Sequence, residues 1–302
     1  MFNILGFYKF TQLKNLKNNK YLLQTSMIKN HVRGTIILAN EGINGTIAGK
    51  KINLNKIQKK IFTIFKIKNF DNKNNSLSRF QPFHRARVKI KKEVVPIGLQ
   101  LDKKTKQKNQ YIEPDKWNDI IKNKKTFLID ARKSFEYKVG TFQGAVNPNV
   151  NHFKDFPKFL KKIKKTQPVA MFCTGGIRCE KASAYLLNKG FKNVYQLKGG
   201  ILNYLDKVKK GKSLWKGECY VFDNRVSVKH KLEQGTYSIC GGCRTPISLL
   251  EKKSKKYEEG VSCSNCHDKL TPNQMERFRM RQKQISLAKH FGTKHIFQKE
   301  FK

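Results

Sequence analysis

The chain has 302 residues, which is enough for two or three domains with a sizeable buried core. No apolar stretch approaches the roughly 18 residues that cross a bilayer, and the first residues lack the basic segment of a secretory signal, so we expect a cytoplasmic protein without a membrane span. The 64 lysine and arginine residues outnumber the 21 acidic residues, giving a formal charge of +43 that predicts a nucleic-acid partner. Codon drift towards A/T-rich lysine, asparagine and isoleucine is the competing explanation of that charge.

Residues 1–98 are predicted to form a small domain of ferredoxin-like, or acylphosphatase-like, α+β fold. The residue patterns predict β-α-β-β-α-β order, which is that of the ferredoxin-like fold. The predicted strands are Phe2–Phe10, Gly34–Ala39, Thr46–Ala48 and Ala86–Ile90, and the predicted helices are Leu13–Ile28 and Leu54–Phe65. A glycine-containing turn at residues 40–45 joins the second strand to the third.

The last strand of this domain carries a basic face. Alternation along Ala86–Ile90 and the residue before it places Arg85, Arg87 and Lys89 on one side, as in surfaces that bind a nucleic-acid backbone. We therefore predict that these three residues contact the phosphates of a nucleic-acid partner. A basic face that contacts only solvent is the alternative, because lysine is abundant throughout the chain.

Residues 99–110 are polar, charged and without periodicity, which indicates a linker, and residues 111–212 are predicted to form a mostly parallel α/β domain. A helix is expected to start within Tyr111–Trp117, with Pro114 in its first turn. The short apolar run Phe127–Asp130 predicts a buried strand, and Arg132 follows at its carboxyl end, where open α/β sheets place their ligands.

The most informative segment is a strand, a tight loop and a helix centred on Cys173. Val169–Phe172 is apolar on both faces, and the loop that follows contains Cys173, Thr174, Gly175, Gly176, Ile177 and Arg178. Two glycines allow successive backbone N–H groups to point at the sulfur, and such a nest at a helix start lowers a thiol pKa. Cys173 is therefore predicted to be a nucleophile, against the alternative of an inert buried cysteine. Cysteine phosphatases have five residues between cysteine and arginine, whereas this loop has four, which suits sulfur better than phosphate.

Residues 213–302 are predicted to form a third unit with a metal site. Cys240 and Cys243 are separated by nineteen residues from Cys263 and Cys266, which is close to the spacing of a zinc ribbon. Four reduced thiols without metal are the alternative, and the adjacent His267 is a weaker ligand candidate. A basic helix over residues 275–290 follows, which either lies on RNA or caps the unit.

Several of these segments resemble known proteins. The segments around Ile129–Arg132, Gly140–Pro148, the Cys173 loop and Leu197–Gly200 resemble the rhodanese domain. The similarity is closer to one branch, the bacterial tRNA uridine hydroxylases, and runs nearly end to end. It is carried by Ala39–Thr46, His84–Arg85 with Lys91–Glu93, Cys173–Lys181 and Trp215–Asp223. By this resemblance Cys173 holds the position of the rhodanese persulfide cysteine, and Cys179, where ordinary rhodaneses carry serine, is an auxiliary thiol. The reverse assignment of the two neighbouring thiols is the alternative.

The resemblance implies an enzyme that uses dioxygen to hydroxylate C5 of the wobble uridine of tRNA, giving 5-hydroxyuridine. A thiolate that attacks C6 would turn the C4–C5 unit into an enolate, which is the chemistry that a low-pKa Cys173 suits. Two alternatives remain, a rhodanese-type sulfurtransferase that forms a Cys173 persulfide and a non-catalytic tRNA-binding module. Structural zinc is the one cofactor predicted, because no iron, flavin or nicotinamide motif is visible in the sequence.

Overall fold

The computed structural model describes residues 1–98, 110–150, 153–161 and 163–293. The strands are β1 Phe2–Phe10, β2 Arg33–Ala39, β3 Gly42–Gly49, β4 Asn72–Ser78, β5 Ala86–Ile90, β6 Gln110–Ile112, β7 Phe127–Asp130, β8 Gly140–Phe142, β9 Val169–Phe172, β10 Val194–Leu197, β11 Trp215–Gly217, β12 Cys219–Tyr220, β13 Ser227–Val228, β14 Ser238–Ile239 and β15 Pro246–Ile247. The α-helices are α1 Leu16–Lys29, α2 Lys51–Phe65, α3 Pro114–Lys122, α4 Ser134–Val139, α5 Phe156–Leu160, α6 Ile177–Asn188, α7 Gly200–Lys207 and α8 Pro272–His290. Within these described residues, no helix combines the length and apolar character of a membrane span.

The amino-terminal sheet has the order β4-β1-β3-β2-β5, and the helices within the described ranges cover only one of its faces. Leu23 and Met27 of α1 and Ile57 and Ile61 of α2 are buried against Ile36 and its neighbours in the sheet. Alternation along β1 sends Leu5 and Phe7 into this core and turns Gly6 and Tyr8 to the opposite face. The helix-free face is therefore available to form a site with the rest of the chain.

The predicted ferredoxin-like fold is confirmed, but the prediction that Ala86–Ile90 is its fourth strand is wrong. The fourth strand is β4, which pairs antiparallel with β1 at the sheet edge, and β5 is an additional strand parallel to β2. The sequence of β4, Asn-Lys-Asn-Asn-Ser-Leu-Ser, has almost no apolar residues because an edge strand with a polar face buries little. Hydrophobic periodicity could not reveal it.

The central sheet has four parallel strands in the order β6-β10-β9-β7, with helices on both faces, as predicted. Trp117 of α3 and Tyr204 of α7 pack on one face, and Phe156 of α5 and Leu186 of α6 pack on the other. Tyr111 and Ile112 lie in β6, so the helix expected within Tyr111–Trp117 begins only at Pro114. Residues 99–109 of the predicted linker lie outside the described residues.

The chain after residue 212 first packs on the central domain and then forms a small cysteine-rich unit. Strand β11 pairs with β8, and Trp215, Cys219 and Val228 are buried in the same core as Trp117. The hairpin of β14 and β15 and the helix α8 then surround the four clustered cysteines. Arg281 of α8 donates to the carbonyl oxygens of Gly241 and Gly260, at 2.8 and 2.7 Å, so this basic helix caps the unit.

Candidate active site

The Cys173 loop lies between the end of β9 and the start of α6, with the geometry that the sequence predicted. Gly176 precedes α6 with φ of 92°, a left-handed conformation that favours glycine. The carbonyl oxygen of Cys173 accepts from the backbone N–H of Ile201 at 3.0 Å, which ties the loop to the start of α7. The backbone hydrogen bond of Cys173 therefore fixes the start of the loop, and the left-handed conformation of Gly176 fixes its turn into α6.

The sulfur of Cys173 is ionised more easily than that of an ordinary cysteine. Complete burial opposes the charge, but the Cys179 thiol, the Arg178 charge and the backbone N–H groups of Arg178 and Cys179 together lower the pKa of Cys173 to about 6. These groups stabilise the thiolate where water does not reach it. At neutral pH Cys173 is a buried thiolate, which is the reactive form of cysteine.

Cys179 has the opposite character although it lies in the same loop region. Burial raises its pKa, and its hydrogen bond to the Cys173 sulfur and the negative charge there raise it further. Cys179 therefore stays protonated and donates its proton towards Cys173. The two thiols differ in protonation because only one negative charge is favourable at this position.

Arg178 is oriented by Glu136, which lies in the short helix α4 after β7. Its Nη1 and Nη2 donate to Glu136 Oε2 and Oε1 at 2.8 and 2.9 Å, and Nη2 also donates to Thr174 Oγ1 at 3.3 Å. Burial opposes the charge of Glu136, but the bidentate contact with Arg178 outweighs it and lowers the pKa of the Glu136 carboxyl. Glu136 was not predicted as a site residue, and its separation of 42 residues from Arg178 is the reason.

A second buried ion pair lies beside the loop. Arg132 donates to Asp130 from Nε at 2.8 Å and from Nη2 at 2.6 Å, and it also donates to the carbonyl oxygen of Gly140. Both side chains are fully buried, and the Arg132 guanidinium lies 5.2 Å from the centre of the Trp215 ring. This pair fixes the carboxyl end of β7 where the sequence predicted a ligand edge.

A cavity of about 680 Å³ opens over the Cys173 loop and is lined by both domains. The central domain contributes Cys173, Thr174, Gly175, Ile177 and Arg178, and the helix-free face of the amino-terminal sheet contributes the opposite wall. That wall contains Gly6, Tyr8, Thr35, Asn44, Thr46, Asn72 and Asn74. The volume falls within the range of about 300–1,000 Å³ that is common for small-molecule sites.

Direct hydrogen bonds hold the two walls together. Asn72 Nδ2 donates to the carbonyl oxygen of Gly175 at 3.0 Å, and Tyr8 Oη donates to Glu180 Oε1 at 2.8 Å. Burial and the adjacent Glu180 raise the pKa of Tyr8, so its phenol remains a donor. The amino-terminal domain therefore contacts the residues that carry and follow the predicted nucleophile.

A buried lysine adds an ion-pair network across the same boundary. Lys181 of α6 is fully buried, and its Nζ lies 2.8 Å from Glu41 and 2.5 Å from Glu93. Each of the three residues belongs to a different segment that carried the resemblance to tRNA uridine hydroxylases. The sequence showed these segments separately, but their contact depends on the fold.

The predicted basic strand residues lie next to the cavity wall, since Arg87 and Lys89 of β5 pair with Thr35 and Ile37, which line the cavity. Arg85, Arg87 and Lys89 are exposed on one side of β5, and they do not line the cavity wall. Their alternation is as predicted, while their role in tRNA binding stays a prediction. Because β5 is an edge strand of the sheet, at the end opposite β4, a nucleic-acid backbone bound there would run along that edge.

The four carboxy-terminal cysteines converge with the geometry of a metal site. Their sulfur atoms all lie within 4.8 Å of one another, with Cys240–Cys266, Cys243–Cys263 and Cys263–Cys266 separations of 3.8, 3.7 and 3.9 Å. Four sulfurs at about 2.3 Å from a tetrahedral zinc would lie about 3.8 Å apart. The cluster therefore fits one metal ion, and His267 instead contacts Asp268 at 3.0 Å.

Comparison with known proteins gives matches over all three parts of the chain. Residues 2–94 match the UPF0176 acylphosphatase like domain, and residues 113–207 match the rhodanese-like domain. A protein of Pelagibacter ubique (strain HTCC1062) named tRNA uridine(34) hydroxylase is 65% identical over 100% of both chains.

Solved structures resemble part of the chain. The rhodanese-like domain of an Anabaena protein is 17% identical, covering 36% of this chain and 80% of that one, with a TM-score of 0.30. The polysulfide-sulfur transferase homodimer of Wolinella succinogenes is 25% identical, covering 34% of this chain and 77% of that one, with a TM-score of 0.30.

Proposed function

The chain belongs to the tRNA uridine(34) hydroxylase family, and from this premise we propose that it hydroxylates C5 of the wobble uridine of tRNA with Cys173 as the nucleophile. The observation that carries the proposal is the buried sulfur of Cys173, with its lowered pKa, at the boundary of a cavity lined by two domains. A cavity of this kind admits one nucleoside extruded from the anticodon loop and keeps water from the thiolate.

Cys173 activates the base by adding to C6 of the uracil ring. The new S–C6 bond moves the ring electrons to C5 and O4, and C5 of this enolate takes one oxygen atom from dioxygen. Loss of the C5 proton and departure of Cys173 from C6 then restore the double bond. The second oxygen atom leaves as water, for which an external thiol reductant supplies two electrons and two protons.

The decisive experiment uses hypomodified tRNA, a thiol reductant and isotopically labelled oxygen gas. We expect 5-hydroxyuridine that carries one labelled oxygen atom and forms only under aerobic conditions, as measured by nucleoside mass spectrometry. Sulfur in the nucleoside would instead support the sulfurtransferase alternative. An oxygen product that is equally abundant without dioxygen would contradict the hydroxylase proposal.

Arg85, Arg87 and Lys89 are proposed to bind phosphates of the same tRNA. Replacing all three by glutamine should weaken tRNA binding and reduce the slope of log affinity against log salt by about two to three, because each phosphate contact releases counterions. Lys56, Lys59 and Lys60, exposed on α2 behind the sheet, provide a control with the same loss of charge. Equal slopes for the two triple variants would refute a specific role of β5.

The four-cysteine cluster is proposed to hold one structural zinc ion. Cys240, Cys243, Cys263 and Cys266 would be its ligands, since their sulfur separations match a tetrahedral site. The ion would stabilise a unit whose core contains few apolar residues besides Ile247, Tyr257 and Leu270. These cysteines do not line the cavity, so the proposed role is structural and separate from the reaction.

A further inference from the structure

The helix-free face of the amino-terminal sheet presents an ordered polar surface to the Cys173 loop. Cross-strand pairing places Tyr8 of β1 opposite both Asn44 and Asn72, and places Gly6 opposite both Thr46 and Asn74. These residues form two neighbouring rows of the cavity wall. An asparagine-rich row is unusual for a sheet, because asparagine is disfavoured in strands.

The three asparagines in this wall differ in whether their side chains already donate a hydrogen bond. Asn72 is committed, since its Nδ2 donates to the carbonyl oxygen of Gly175. The side-chain amides of Asn44 and Asn74 line the cavity and have no hydrogen-bond partner among the residues that the structure describes. Each amide offers donors and an acceptor, so both are available to a bound molecule.

Gly6 lies in β1 between Thr46 and Asn74 and has no side chain to occupy this part of the cavity wall. A Cβ added to Gly6 would come no closer than 3.8 Å to Thr46 Oγ1 and 3.9 Å to the carbonyl oxygen of Asn74. The backbone of Gly6 does not have a positive φ, so the conformation of β1 does not require glycine there. The missing side chain instead enlarges the cavity, as expected where a flat ring lies against the sheet.

The polar wall lies close to the nucleophile. A Cβ on Gly175, two residues after Cys173, would lie 3.5 Å from Nδ2 of Asn74. The Asn74 amide therefore packs against the Cys173 loop, and a planar molecule bound on Gly6 would lie beside this contact and next to the loop. At the rim of the cavity Phe222 is 61% exposed, which provides an aromatic surface for a neighbouring base.

We propose that this wall is the base-recognition site, in which Gly6 forms the floor and Asn44 and Asn74 bind the polar edge of a pyrimidine extruded from tRNA. The uracil edge offers one donor, N3–H, between two carbonyl acceptors, and an amide side chain complements such a donor and acceptor pair. The inference rests on the proposed function. It assigns recognition of the base to the amino-terminal domain and activation of the base to the central domain.

The test compares Asn74→Ala and Asn44→Ala with Asn75→Ala in the full chain. Asn75 is the matched control because it is the next residue of β4 and is exposed on the opposite side. Single-turnover formation of 5-hydroxyuridine at saturating tRNA should slow by roughly tenfold to hundredfold in each cavity variant, because an unpaired polar atom is left buried. The Asn75 variant should match the wild type.

Gly6→Val fills the space over β1 and leaves both asparagines in place. It should also slow single-turnover formation by tenfold or more, while filter binding of tRNA stays as in the wild type, because phosphate contacts dominate that affinity. Thermal unfolding of each variant verifies that the sheet is intact.

The possible outcomes separate the two proposals. An inactive wild type would overturn both the proposed function and the base site. An active wild type whose Asn44 and Asn74 variants react at the wild-type rate would overturn the base site alone. The same conclusion would follow if the Asn75 variant slowed as much as the Asn74 variant, or if the cavity variants lost tRNA affinity and rate in equal measure.

Discussion

The chain contains two groups of cysteines that differ in what stabilises their sulfur atoms. In the Cys173 loop, backbone N–H groups, a neighbouring thiol and the Arg178 charge act on one sulfur and lower its pKa to about 6. In the carboxy-terminal cluster, four sulfurs lie within 4.8 Å of one another, so that four thiolate charges there would repel one another. The first arrangement favours one thiolate, whereas the second has the geometry to share a cation.

This difference explains why the two groups can occur in one chain without exchanging roles. A thiolate held by hydrogen bonds keeps a free electron pair for attack on carbon, whereas a metal-bound thiolate shares that pair with the ion. Cys219 shows a third condition, since burial raises its pKa to about 12 and leaves it a neutral core residue. The surroundings of each sulfur therefore decide its chemistry, and variants of these surroundings test the comparison.

The largest effect is expected from Cys173→Ser. Formation of 5-hydroxyuridine should fall by on the order of a thousandfold or more, because a serine hydroxyl is not ionised where the thiol is. The free energy of unfolding should change by about 1 kcal/mol, since the replacement is nearly isosteric. Nucleoside mass spectrometry and thermal unfolding provide the two measurements. Cys219→Ser is the matched buried control, and a folded Cys173 variant with full activity would remove Cys173 from the mechanism.

The second effect concerns the metal cluster. Protein purified without chelator should contain about one zinc per chain, since one tetrahedral ion takes four thiolates. Cys263→Ser should lose that zinc and lower the unfolding temperature of the carboxy-terminal unit. The single-turnover rate at saturating tRNA should stay within about twofold of wild type, because the sites share no residues. Zinc analysis is the primary measurement, and a zinc-free wild type with four freely titratable thiols would contradict the assignment.

A third variant disturbs the Cys173 loop and tests whether the four-cysteine cluster is affected. Glu136→Gln removes the charge that holds Arg178, and breaking such a buried pair costs about 3–5 kcal/mol of unfolding free energy. The Cys173 loop should lose order and activity, while the zinc content stays as in the wild type. Chemical denaturation and metal analysis of the same preparation measure both quantities. Loss of zinc from this variant would show that the two sites are not independent.

Much of the cysteine chemistry could be predicted because it depends on local sequence. The Cys173 loop is six consecutive residues between a strand and a helix, and the two Cys-x-x-Cys pairs have a recognisable spacing. Backbone geometry within such short segments is largely set by their own glycines and turns. The nest around Cys173 and the convergence of the four cysteines therefore agree with the sequence-based expectation.

The partners of that chemistry could not be predicted because they are distant in the sequence. Glu136 approaches Arg178, Tyr8 approaches Glu180, and Asn72 approaches Gly175 only after two domains pack together. The strand that supplies Asn72 and Asn74 is polar, so its sequence carries no hydrophobic period. Interdomain sites of this kind depend on relative domain placement, which local patterns do not contain.

The smallest expected effect addresses what Cys179 contributes to the difference between the two cysteine groups. Cys179→Ala removes the thiol that donates to Cys173, so the pKa of Cys173 should rise above 6. Because the reaction needs the thiolate, the acid limb of the kcat/KM profile should then move to higher pH. Activity at pH 7 should fall by about twofold to tenfold, the effect of one lost hydrogen bond to a charged group. At pH values well above the new pKa of Cys173, the activity of this variant should return to the wild-type value.

Cys179→Ser distinguishes this electrostatic role from a redox role. Serine keeps a hydroxyl donor beside Cys173, so the pH profile should remain close to that of the wild type. If Cys179 instead supplied an electron pair by forming a disulfide with Cys173, serine and alanine would be equally inactive at every pH. Measurement of both profiles across the acid limb therefore assigns Cys179 either to stabilisation of the thiolate or to its oxidation. The structure favours stabilisation of the thiolate, since burial and the neighbouring Cys173 raise the pKa of the Cys179 thiol. Cys179 therefore keeps its proton and acts as a hydrogen-bond donor.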